Sequence, residues 1–164
     1  MSTNRLSVTA ARETAQRADV FDLVTDAYWM ELESVMRLTT CRLHGGAGRP
    51  RVATLVERLV EDEIAHARRL VRRIVQLGGT VPDVRQTATK PLLPSASGDS
   101  VDEVALAVLV LRAAERAVAH YERLAEAARG IDPVTHELAR DLLDDEIHHR
   151  DAFDPLVTGT PVAA

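Results

Sequence analysis

Apolar residues recur three and four positions apart along four long stretches of the chain, and no stretch alternates at the two-residue period of a half-buried strand. The pattern predicts an all-α protein. A first helix is expected over about residues 12–43, with Val24, Tyr28, Glu31, Val35 and Leu38 on one face, ended by Gly45 and Gly46. A second, over 51–77, starts at Pro50, carries Val52, Val56, Leu59, Leu70, Ile74 and Leu77 on its stripe, and stops at Gly78 and Gly79. A third, over 101–129 with Ser100 as N-cap, places Val104, Val108, Leu111, Glu115, Val118, Glu122 and Ala125 together. A fourth, over 133–157, opens at Asp132 and Pro133 and has Leu138, Leu142, Glu146, His149, Phe153 and Leu156 on its stripe.

Helices joined by short turns lie antiparallel, whereas parallel neighbours need a link that travels the length of the bundle. The first and third turns are short. The link over 78–100 is rich in Pro, Gly and Ser and, at about 3.3 Å per extended residue, can cross the roughly 40 Å of a helix this long. An up-down-down-up four-helix bundle with one long crossover is therefore expected, as a single domain over 1–164.

Polar residues interrupt these stripes in a repeated order. In the first half Glu31 stands alone on its helix and "EIAH" (63–66) follows on the next; in the second, Glu115 stands alone and "EIHH" (146–149) follows. The spacings are nearly equal: 63 minus 31 is 32, and 146 minus 115 is 31. Residues i and i+3 share a helix face, so each Glu-x-x-His can direct two ligands at one point in the interior. Four buried carboxylates would repel one another and favour their protonated forms, a problem that two divalent cations remove. Mixed carboxylate and imidazole donors suit iron, with manganese as the alternative, better than magnesium, calcium or structural zinc. The expected ligands are Glu31, Glu63, His66, Glu115, Glu146 and His149, the donor set of a di-iron carboxylate bundle.

Neighbouring groups receive plainer expectations. Glu33 lies off the stripe of Glu31; His148 points about 100° from His149 and reads as a surface group. Glu122 reads as a helix-end carboxylate, His44, His120 and His136 as solvated, and Tyr28 and Tyr121 as core packing within reach of the site. Cys41 is the lone cysteine, which excludes an internal disulfide framework and suits a reducing, cytoplasmic setting. The net charge of -5 and the short apolar run "VALAVLVL" (104–111), ended by Arg112, argue against a nucleic-acid surface and a membrane span. Only Lys90 among the 20 basic residues is a lysine, and arginine suits fixed ion pairs.

With these residues in place, the chain resembles the ferritin-like superfamily, bacterioferritin and mini-ferritin-like diiron proteins above all, over about residues 16–157. The stretch "EDEIAHARRLVRRIVQLGGTVP" (61–82) is similar to that family's second helix beyond the ligands themselves. The resemblance implies that Glu63 and Glu146 bridge two irons, with Glu31 and His66 completing one and Glu115 and His149 the other. It implies a ferroxidase acting on Fe(II) with O2 or H2O2, for iron storage or detoxification, in a homo-oligomer. Departures are visible as well. Ile64 stands where bacterioferritin has its haem-ligating methionine, so haem is not expected; Leu38 replaces a usual tyrosine; a cage-closing fifth helix is not expected in the eighteen residues after Glu146. The alternatives are a non-storage diiron enzyme, such as a rubrerythrin-like peroxide reductase or an oxygenase, and a partner-binding protein with a structural metal site.

Overall fold

Helix-forming sequence runs unbroken from one Gly or Pro signal to the next, and the helices follow. In a computed structural model, which describes residues 2–44, 50–81 and 103–159 except for the side chains of 2–10, 41–44, 50–53 and 103, they are α1 (Ser2–His44), α2 (Pro50–Gln76), α3 (Glu103–Ala128) and α4 (Pro133–Thr158). No strand occurs among the described residues. α1 begins well before the expected residue 12, since nothing between Ser2 and Arg12 breaks a helix. The glycines at 45 and 46, the cap at Ser100, the side chains of Cys41 and His44, and most of the crossover lie outside the described residues.

The helix ends are built as the sequence dictates. α2 closes in a left-handed residue, Gly78 (φ 84°), with the Gly79 amide donating back to the Ile74 carbonyl at 3.0 Å. At Gly79 the reason for glycine is space: a Cβ there would lie 2.3 Å from the Phe21 ring. α4 opens with Asp132 as N-cap, accepting from the Thr135 amide at 3.2 Å, and Pro133 in the first turn.

Contacts fix the topology. α1 packs on α2 and α3, and α3 on α4. His120 of α3 meets Leu23 of α1, while Ala107 and Val110 pack in one cluster with Leu38, so α1 and α3 are antiparallel. Along the α2–α4 seam Arg73 pairs with Asp132, Arg69 with Asp141 (2.6 Å), His66 with Asp145 (3.2 Å) and His149 with Asp62 (3.4 Å), again in antiparallel order. With α1 also antiparallel to α2, the bundle is up-down-down-up, as expected.

Two apolar clusters fill the interior. One is built on Val24, Leu70, Ile74, Tyr121, Leu124 and Leu142; the other on Leu38, Val56, Leu59, Ala107, Val110 and Phe153. Between them every helix contributes polar or small residues: Glu31, Glu63 and His66, Ala114, and Glu146. A polar layer thus divides the core.

The core face of α3 differs from expectation. It consists of Ala107, Val110, Ala114, Ala117, Tyr121, Leu124 and Ala128, whereas Val104, Glu115 and Glu122 are exposed. The expected stripe followed the larger valines and leucines; the chain instead turns its alanine face inward, which lets α3 approach its neighbours closely.

Candidate metal centre

Glu31, Glu63, His66 and Glu146 are each at most 5% exposed, and one ligand atom from each lies within 4.8 Å of all the others. The i, i+3 spacing on α2 turns Glu63 and His66 to one point, Glu31 meets them from α1, and Glu146 from α4. His66 Nδ1 stands 3.3 Å from Glu146 Oε1 and 3.7 Å from Glu31 Oε2. His149 borders the group, with Nδ1 3.6 Å from Glu146 Oε2 and its ring 5.8 Å from that of His66.

Glu115, expected as the fourth carboxylate, is exposed on α3 and is not part of this group. The error is one residue. A step of one position rotates a side chain by about 100°, enough to carry it from core to solvent. Five of the six expected ligands are thus brought together, four of them tightly.

Three buried side-chain atoms among the described residues have no hydrogen-bond partner: His66 Nδ1, Glu146 Oε1 and His149 Nδ1. All three belong to this one cluster. They sit at ion-pair distance, His66 Nδ1 from Glu146 Oε1 and His149 Nδ1 from Glu146 Oε2, without hydrogen-bond geometry, and this convergence of carboxylate oxygens beside imidazole nitrogens fits a divalent cation of the iron or manganese type.

Residues around the cluster hold it in place. His66 Nε2 donates to Asp145, and His149 Nε2 donates to Asp62. Each aspartate directly precedes the glutamate of the opposite motif, so "DEIAH" and "DEIHH" strap one another's histidines across α2 and α4. With the outer nitrogen occupied, the inner one is free to ligate. Sequence reading missed both aspartates; their identical placement before each Glu-x-x-His was the available signal. Tyr121, fully buried, donates its hydroxyl to Glu31 Oε1, a role beyond the core packing expected of it.

The electrostatics follow from this crowding. Burial first, then Glu31, Glu146 and Asp62, raise the Glu63 carboxyl well above the usual carboxylate range. Burial alone would lower His66, but Glu146 and Glu31 outweigh it and lift its pKa to about 10. Burial would raise Glu146 too, and His149 and His66 reverse this and hold it low. His149 is raised by Glu146 against its own burial. Burial and the Glu31 charge keep the Tyr121 phenol protonated, as its donor role requires.

Other expectations divide. Glu33 pairs with Arg37 at 2.9 Å and stays off the site; His148 is exposed on α4; Glu122 is exposed. His120 and His136 are not simply solvated. His120 is buried and donates to the Leu23 carbonyl at 2.9 Å, and burial and the Arg123 charge keep it neutral. His136 donates to the Ala125 carbonyl at 2.7 Å, tying α4 to the end of α3. No helix among the described residues is long and apolar enough to cross a membrane.

An up-down-down-up bundle whose core is divided by a buried carboxylate–imidazole cluster defines the class: a four-helix protein with an internal group of side chains that could hold a metal. A family model described as the ferritin-like domain matches residues 35–161, and the chain belongs to the ferritin family. It is 30% identical over 145 residues to the "DNA protection during starvation protein" of Pyrococcus furiosus, covering 87% of this chain and 78% of that one. Its fold is similar to that of a dodecameric thioferritin, the bacterioferritin-related protein of Bacteroides fragilis (TM-score 0.75, 23% identity, 87% of this chain and 86% of that one). It is similar as well to the bacterioferritin of Desulfovibrio desulfuricans, described with a diiron site (TM-score 0.72, 17% identity, 89% and 82%).

Proposed function

We propose that this chain is a ferroxidase: it binds Fe(II) at Glu31, Glu63, His66, Glu146 and His149 and oxidises it with O2 or H2O2, for iron storage or detoxification. The observation that carries this is the convergence of His66 Nδ1, Glu146 Oε1 and His149 Nδ1, buried and without a well-formed hydrogen bond, on one carboxylate cluster. With peroxide the reaction balances as two Fe(II), one H2O2 and two protons giving two Fe(III) and two waters. Iron is substrate here.

The chain's own residues supply ligands, orientation and protons. Asp145 and Asp62 fix the two imidazoles with Nδ1 inward, and Tyr121 fixes Glu31. Glu63 and His66 hold protons that leave as a cation enters. The diiron site described for the Desulfovibrio bacterioferritin supports the reading; the Pyrococcus relative is named for DNA protection, and a net charge of -5 gives no reason for a DNA surface on this chain.

Aerobic addition of excess Fe(II), followed by ferric absorbance and oxygen or peroxide consumption, tests it. The natural chain should oxidise many irons per subunit, and Glu63→Ala and Glu146→Ala should each abolish the fast phase. Full activity in both variants would remove the assignment. Saturation near two irons with a need for reductant would favour the non-storage diiron enzyme instead.

A further inference from the structure

The two halves of the site are related by chain position, and the relation identifies a missing ligand. Glu31 lies 32 residues before Glu63; 32 residues before Glu146 is Ala114 (146 minus 32). Ala114 is 3% exposed, with Val110 a turn before it in one apolar cluster and Ala117 nearly a turn after it in the other, so it occupies on α3 the layer that Glu31 occupies on α1. A methyl group cannot ligate. Glu115, one residue on, is exposed.

We infer that the two metal positions of this chain are unequal: the His66 side holds a divalent cation tightly, and the His149 side, one carboxylate short at Ala114, holds a second one weakly. The inference rests on the metal-centre reading above and goes beyond it. On the His66 side Glu31, Glu63, His66 and Glu146 lie within 4.8 Å of one another. On the other, His149 Nδ1 has Glu146 Oε2 at 3.6 Å and no carboxylate from α3. The nearby groups that could substitute are committed: Tyr121 donates to Glu31, and Asp62 accepts from His149 Nε2.

Charge points the same way. Three buried carboxylates against one divalent cation leave the layer at -1, and a second cation brings it to +1; a fourth carboxylate would have brought it to zero. In a buried layer such an imbalance is weakly screened. Asp62 and Asp145 compensate little, being 58% and 49% exposed at their side chains. For an iron-oxidising protein, the weak position is the one from which iron can exchange.

Mn(II) titration of the full chain, with free Mn(II) followed by electron paramagnetic resonance, reads both steps without turnover. One Mn(II) per chain should bind tightly and a second at least ~10-fold more weakly, since loss of a direct ligand costs no less than loss of an outer partner. Ala114→Glu should tighten the second step by ~10-fold or more, and Glu115→Ala should change neither step. If the Ala114→Glu chain does not fold, His149→Ala decides: it should remove the weak step and spare the tight one. Two equal steps in the natural chain, loss of a step in Glu115→Ala, or loss of the tight step in His149→Ala would each overturn the inference. Absence of any Mn(II) binding would overturn the metal-centre reading with it.

Discussion

Glu63 keeps a proton that the unfolded chain gives up near its ordinary pKa of 4.5, and His66 keeps one beyond its ordinary 6.5, up to about 10. Where the native state binds more protons than the unfolded state, stability falls as pH rises. The contribution of His66 is fully present below 6.5 and lost as pH climbs through about 10; that of Glu63 declines from about 4.5 upward. The metal-free chain should therefore lose stability across this range in urea unfolding at stepped pH, and Glu63→Gln should flatten the acidic part of the slope. A rise in stability with pH over that range would contradict the assignment of both protons. Asn at Asp145 or Asp62 should weaken metal binding by about 10–100-fold while leaving the fold intact, read by the same Mn(II) titration. At this scale the sequence was legible where chemistry and spacing coincide, as in the two Glu-x-x-His motifs. It was not legible at Glu115, because offsets of 31 and 32 look alike on the page and differ by about 100° on a helix. Nor was it legible at His120, whose partner is a backbone carbonyl that no side-chain pattern marks.

Helices α2 and α4 are joined by a row of polar pairs, and the Arg73–Asp132 pair closes one end of their seam. Asp132, itself buried, caps α4, accepts from the Thr135 hydroxyl at 2.6 Å and pairs with the largely buried Arg73. Burial raises its carboxyl, but Arg73 and Thr135 outweigh this and hold it low. Its contribution is thus present above its ordinary 3.8 and lost as pH falls through its lower native value. Asp132→Ala should cost about 2–3 kcal/mol at neutral pH in chemical denaturation, and less in acid. Gly79→Ala, forced into the Phe21 ring at the same end of the bundle, should cost about 1–3 kcal/mol. Helix bounds were readable wherever a breaker stood, as at Gly78 and Asp132. The face of α3 was not: both its valine–leucine stripe and its alanine stripe have helical period, and only packing against α1 and α4 selects the alanines.

For the whole molecule, a core divided by three buried carboxylates is less stable empty than filled. A divalent cation at 100 times its dissociation constant should add about 2.7 kcal/mol, so chelation should lower the thermal midpoint and added Mn(II) should restore it. The topology was legible from link lengths alone, because a crossover over 78–100 permits few alternatives. Assembly was not, since it depends on surfaces rather than periods. Met36, Val75, Val104 and Val134 are more than half exposed. If these exposed apolar side chains serve contacts between copies, light scattering should return a mass several times the 17.9 kDa of one chain.

Anomalous diffraction at the iron edge, from crystals of the full chain equilibrated with Fe(II), tests the central claim most directly. A strong peak should lie among Glu31, Glu63, His66 and Glu146, with a weaker one beside His149 and none at Glu115. Iron only at surface carboxylates, with the four buried residues unliganded, would contradict it.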